Sequence, residues 1–81
     1  MKAVFSHRLI REYAKLPHEV QVKFDKQISF LLMNLRHPSL RAKKYDETQN
    51  IWQARVDDHH RFYFKIQGDT YEILSVMAHP K

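Results

Sequence analysis

The chain has 81 residues, about half the length of a common domain, so 1–81 is expected to form a single domain around one core. Lys and Arg number 14 against 9 Asp and Glu, a formal charge of +5 with six histidines besides, which points to a polyanionic partner. With no cysteine, disulfide scaffolds, thiolate metal sites and cysteine nucleophiles are excluded; with one glycine, so are Gly-rich phosphate loops and the nucleotide-cofactor folds built on them. The longest apolar run, Ile28 to Met33, is broken by Ser29 and falls far short of the ~20 residues that cross a bilayer. No apolar signal segment follows Lys2, so no membrane association and a cytoplasmic location are expected.

Ala3-Val4-Phe5 reads as a short opening strand. Ser6 stands where a helix N-cap belongs, ahead of Leu9, Ile10, Tyr13 and Leu16 at helical spacing. Pro17 ends that helix, and His18-Glu19 begin a second whose apolar positions Val20, Phe24, Ile28, Leu31 and Leu35 recur every three or four residues. Pro38 closes this helical hairpin, and the apolar period then changes from helical to alternating.

Three segments alternate. In 51–57 the apolar row is Trp52, Ala54 and Val56; in 61–67 it is Phe62, Phe64 and Ile66; in 70–79 it is expected to be Leu74, Val76 and Ala78. Opposite these rows lie Gln53, Arg55 and Asp57, then Arg61, Tyr63 and Lys65, then Tyr71, Ile73, Ser75, Met77 and His79. Gln67-Gly68-Asp69 supplies one hairpin turn, the glycine accepting the positive φ such turns require, and Asp57 to His60 supplies a longer, more polar one. The class is α+β: a strand and a helical hairpin on one face of a small sheet. With the even rows packed on the helices, Arg55, Arg61 and His79 emerge together on the uncovered face.

Six histidines raise the question of a metal, but His59 and His60 are adjacent and would point to opposite faces of a strand, and no pair has the i, i+4 spacing of a helical zinc site. No metal and no cofactor are expected. His7, His18 and His37 lie near helix ends, as solvated or capping histidines do. The stretch Arg36 to Lys44, with Arg41 and Lys43 inside it, carries four fixed positive charges and no acid, which suits a phosphate backbone. The open sheet face adds Arg55, Arg61 and Lys65, with Tyr63 and Tyr71 available to stack on unpaired bases, so single-stranded RNA fits the surface. Metal-free RNA cleavage requires a group to take the 2′-hydroxyl proton, one to protonate the leaving 5′-oxygen, and positive charge beside the phosphate. Imidazole and guanidinium supply most of that chemistry.

Trp52-Gln53-Ala54-Arg55-Val56-Asp57-Asp58-His59-His60-Arg61-Phe62-Tyr63-Phe64 resembles, without a gap, the Trp-x-x-Arg-(Ile/Val)-x-x-x-His-Arg-x-x-(Tyr/Phe) segment of the YoeB/Txe branch of the RelE/ParE toxin superfamily. Ile73 to His79 is similar to that branch's last strand, which ends in a functional histidine. The resemblance spans nearly the whole chain and implies a mainly antiparallel, twisted RelE/ParE-like sheet. It also implies the toxin of a type II toxin–antitoxin module: an endoribonuclease that cleaves mRNA on the ribosome and is silenced by a cognate antitoxin, reaching operator DNA only through the antitoxin complex. Carried across, Arg61 is the transition-state arginine, His79 the general acid or base, and Arg55 a phosphate-binding arginine of the same catalytic group. Lys43, Lys44, Arg41, Lys65 and Tyr63 fall to RNA binding. The branch's general-base glutamate has no counterpart, Glu47 being the nearest acid, and Pro80 replaces the tyrosine after the terminal histidine. The resemblance leaves the base open, a lysine in the RelE-like manner being one candidate. The same resemblance admits two other readings: a ParE-like inhibitor of DNA gyrase without nuclease chemistry, and an inactive paralogue that binds antitoxin and DNA. Among the exposed apolar residues, Ile73 and Met77 are expected to offer an amphipathic antitoxin segment a groove beside the site.

Overall fold

Ser6 turns the chain from its first strand into its first helix. Its Oγ accepts from the Leu9 amide at 3.0 Å and donates to the Leu74 carbonyl at 2.8 Å, so one hydroxyl caps the helix and ties it to the last strand. The computed structural model describes residues 1–79; Pro80, singled out above, lies outside the described residues, as does Lys81. The elements in order are β1 (Lys2–Phe5), α1 (His7–Ala14), α2 (His18–Met33), β2 (Lys43–Asp46), β3 (Ile51–Arg55), β4 (His60–Gln67) and β5 (Thr70–Ala78). They form one sheet of order β1-β5-β4-β3-β2, in which β1 runs parallel to β5 and the remaining neighbours are antiparallel.

Phe62 and Phe64, neither with any exposed surface, meet Phe24, Leu31 and Leu9 from the helices. The Phe24 ring stands edge-on to Phe62 at 5.6 Å and to Tyr13 at 5.4 Å, the geometry in which aromatic edges meet aromatic faces favourably. The expected rows in β3 and β4 hold: Ala54, Val56, Phe62 and Phe64 belong to the core, with Trp52 and Ile66 packed against it.

The expected row in β5 is corrected. Tyr63 is opposite Ser75, but Phe64 is opposite Ile73, so Leu74 is an extra residue in β5 and the ladder is bulged there. A bulge reverses side-chain parity. Before it, Tyr71 and Ile73 face the helices beside Ile66 and Phe64, and both are buried; after it, Val76 does so beside Phe62. Tyr71 is therefore a core residue and offers no stacking face, Ile73 contributes nothing to a surface groove, Leu74 joins the open side, and Ala78 is exposed.

The segment 43–46, expected only as part of a basic loop, is a strand: Lys43 is opposite Gln53 and Lys44 opposite Trp52, with an irregularity at Tyr45. Asp46 Oδ1 accepts from the Thr48 hydroxyl and the Gln49 amide, and Asn50 takes a left-handed φ of 58°, which closes the β2–β3 turn. Among the described residues no helix is long and apolar enough to cross a membrane.

Candidate active site

The pleat sends every second residue of β3 and β4 to the open face, and the β3–β4 register places Gln53 opposite Tyr63 and Arg55 opposite Arg61. Lys43, opposite Gln53 on β2, continues the row on the other side. His79 follows β5 directly, and its amide donates to the His59 carbonyl at 2.7 Å, which fixes His79 beside the 57–60 turn. Arg41, Lys43, Gln53, Arg55, Arg61 and His79 line one cleft of about 280 Å³.

All three residues expected to act chemically, Arg55, Arg61 and His79, thus share a cavity with two of the expected binding residues, Arg41 and Lys43. The others do not line it. Lys44 points to the opposite side, its Nζ 5.4 Å from the centre of the Trp52 ring and 2.6 Å from Asn50 Oδ1. Lys65 sits opposite Glu72 on β5. Tyr63 lines a neighbouring apolar groove with Tyr45, Ile51, Leu74 and Met77, and its ring meets that of Tyr45 edge-on at 5.0 Å. Burial pushes the Tyr63 hydroxyl above its ordinary pKa and Tyr45 adds to this, against the opposing pull of the Arg61 charge.

The two arginines are held differently. Arg61 Nη1 donates to the carbonyls of Asp57 at 2.6 Å and His60 at 3.0 Å, neutral partners that orient the guanidinium without pairing its charge. Arg55 Nη2 instead pairs with the Asp58 carboxylate.

The turn behind them is braced by Asp57. Its Oδ1 accepts from the His59 amide at 2.9 Å and lies 3.0 Å from His60 Nδ1, while Lys23 Nζ on α2 stands 3.8 Å from Oδ2. Burial pushes the Asp57 carboxyl up, but the bonds from His59 and His60 outweigh it and leave the group below its usual range.

Sequence reasoning missed Gln53 and Asp58. Gln53 lies in the same alternating row as Arg55, so the parity that selected the arginine marks the glutamine as well. No comparable signal singles out Asp58, which reaches Arg55 only because the turn folds back. Among the described residues no three histidine or carboxylate side chains converge as a metal site requires.

No protein-family model and no curated protein sequence matches the chain. Solved structures do. The YoeB/ParE toxin from Agrobacterium tumefaciens superposes with a TM-score of 0.82 at 16% identity, covering 99% of this chain and 100% of that one. The YoeB dimer from Staphylococcus aureus gives 0.81 at 14% identity, covering 99% and 98%. The intact E. coli RelBE toxin–antitoxin complex gives 0.73 at 15% identity, covering 98% and 96%.

The fold is that of the RelE/ParE toxins. Within that fold, Arg55 and Arg61 on the strands, Arg41 from the loop before β2 and His79 after β5 surround one cleft.

Proposed function

We propose that this chain is the toxin of a toxin–antitoxin module and acts as an endoribonuclease on messenger RNA at the ribosome. The observation that carries the reading is the convergence of Arg55, Arg61, Lys43 and His79 on one open cleft. In the proposed reaction the 2′-hydroxyl attacks the adjacent phosphorus, the bond from phosphorus to the 5′-oxygen breaks, and the products are a 2′,3′-cyclic phosphate and a 5′-hydroxyl. One proton leaves the nucleophile and one reaches the leaving oxygen.

His79 is assigned one of these transfers. Among the described residues no carboxylate lines the cleft, so Lys43 is assigned the other. Arg61, oriented by backbone carbonyls and in no ion pair among the described residues, neutralises the non-bridging oxygens as charge accumulates on them. Arg55 exchanges Asp58 for a phosphate oxygen when RNA enters.

The proposed protein partner is a cognate antitoxin whose apolar side chains enter the groove between Tyr45, Ile51, Tyr63, Leu74 and Met77, beside the cleft. Several solved relatives of this fold are toxin–antitoxin complexes, which supports the assignment. Such a partner masks the cleft, carries acidic residues, and binds less tightly as salt rises.

Expression without antitoxin, followed by toeprinting of a translated message, tests the reading. Arg61→Ala is expected to reduce cleavage by about 10²–10³-fold and His79→Ala by about 10²–10⁴-fold. Both variants should retain the fold and antitoxin binding and should relieve growth arrest. Undiminished cleavage by both removes these residues from the mechanism, and growth arrest without message cleavage favours inhibition of a different target such as gyrase.

A further inference from the structure

A second groove lies beside the cleft, in the loop that joins α2 to β2, lined by Leu35, Arg36, His37, Pro38, Arg41 and Ala42. Arg41 lines both cavities and makes them neighbours. Its backbone is left-handed, with φ 48°, a conformation that residues with a Cβ adopt only at a steric cost. The fold thus holds a long cation where glycine would sit with less strain.

The loop that carries this groove is anchored. Gln27 of α2 is buried; its Nε2 donates to the Ser39 carbonyl at 3.0 Å and to the Arg55 carbonyl at 2.7 Å, and its Oε1 accepts from the Ser39 hydroxyl at 3.0 Å. The Arg55 amide donates back to the Leu40 carbonyl at 2.8 Å, and the Leu40 side chain has no exposed surface. One glutamine therefore holds the loop and the cleft strand in a common frame. The His37 ring stacks on Phe30 at 3.9 Å and 7°, and its Nδ1 accepts from the Ser39 amide at 3.1 Å. With Nδ1 committed as an acceptor, the neutral ring carries its proton on Nε2, which remains a donor.

Among the described residues, the cations at this groove and at the adjoining side of the cleft have no carboxylate at ion-pair distance. Lys23, Lys44 and Arg55 each have a carboxylate at ion-pair distance, in Asp57, Glu47 and Asp58. Among the described residues, no ion pair forms at Arg36, Arg41 or Lys43. Arg36 and Arg41 on a loop anchored by Gln27, with Lys43 beside them at the start of β2, are suited to successive phosphates.

On the nuclease reading above, we infer that this groove binds the backbone of the single-stranded message next to the nucleotide in the cleft, the strand passing over Arg41 to Arg36. The cleft binds one phosphate for chemistry, and the groove binds a flanking phosphate for grip and register.

The test is fluorescence anisotropy on a 2′-O-methyl RNA of roughly eight nucleotides, long enough to fill both cavities and unable to be cleaved. Arg36 is exposed and makes no ion pair, so Arg36→Ala leaves the core intact. The control is Lys15→Ala, the same change in net charge at the end of α1, in neither cavity. Arg36→Ala is expected to weaken binding about three- to ten-fold at low salt and to flatten the dependence of log K on log salt by about 0.7, the loss of one single-strand phosphate contact. Lys15→Ala is expected to do neither.

Equal behaviour of the two variants overturns the proposal, as does an absence of wild-type binding at low salt. An Arg36 effect confined to ribosomal subunits overturns it too, because the ligand would then be folded RNA. Toeprinting of the wild-type chain separates the two levels: no cleavage with the Arg36 effect intact sinks the nuclease reading and leaves a single-strand groove, whereas normal cleavage with Arg36→Ala matching Lys15→Ala sinks the groove alone.

Discussion

Arg55 and Arg61 lie directly opposite each other across the β3–β4 ladder. Like charges in that position repel, and sheets ordinarily avoid the pairing. Here Asp58 offsets one member and backbone carbonyls orient the other, which holds the two in place with one carboxylate for two cations. A phosphate between the two guanidinium groups relieves the conflict.

Asp58 then competes with RNA for Arg55. Asp58→Asn is expected to tighten RNA binding about two- to five-fold at low salt, the scale of one exposed ion pair, and the gain should fade as salt is added. Titration of the same oligonucleotide at two ionic strengths checks this; weaker binding by the variant would mean that Asp58 orients Arg55 for RNA instead of competing with it.

The bulge in β5 makes a sharp prediction for two adjacent aliphatic residues. Ile73 has no exposed surface, so Ile73→Ala is expected to destabilise the fold by about 2–4 kcal/mol. Leu74 lines the open-face groove, and Leu74→Ala is expected to cost about 1 kcal/mol or less while weakening antitoxin binding. Urea unfolding of the two variants decides the parity of the strand, and the reverse ranking would return Leu74 to the core.

Asp57 links acidity to the turn that orients Arg61. Its folded carboxyl titrates below the unfolded value of ~3.9, so its contribution is fully present above that value and is lost as pH falls through the lower, folded one. Asp57→Asn is expected to lower stability by about 1 kcal/mol at neutral pH, with the difference from wild type closing below about pH 4 as the native side chain takes up a proton. Denaturant midpoints at neutral and acidic pH measure the closure; a constant difference would assign the loss to packing.

Much of this architecture is legible in the chain because its signals are local. Ser6 and Pro17 bound the first helix, Gly68 sits at φ 59° in the turn that 67–69 announces, and alternation in 51–57 and 61–67 selects both the core row and the arginines opposite it. The bulge at Leu74 escapes because Tyr71, Ile73, Leu74, Val76 and Met77 are all apolar enough for either face, and only the partner strand decides between them. β2 escapes because Lys43-Lys44-Tyr45-Asp46 has no apolar row; its pairing with β3 makes it a strand. Gln27 escapes as well, for a polar residue in a helical stripe reads as surface until the carbonyls it serves, 12 and 28 positions away, are brought to it.

Beyond Ile73 the outer margin of β5 has outrun β1, and α1 seals it: Glu12 Oε1 accepts from the Val76 amide at 3.1 Å and from the Ser75 hydroxyl at 2.7 Å. The opposite margin is β2, four residues long, irregular at Tyr45 and bearing two lysines. A second copy approaching along β2 meets cation with cation, and one approaching β5 beyond Ile73 finds its backbone already bonded, so both stretches of margin resist edge-to-edge pairing.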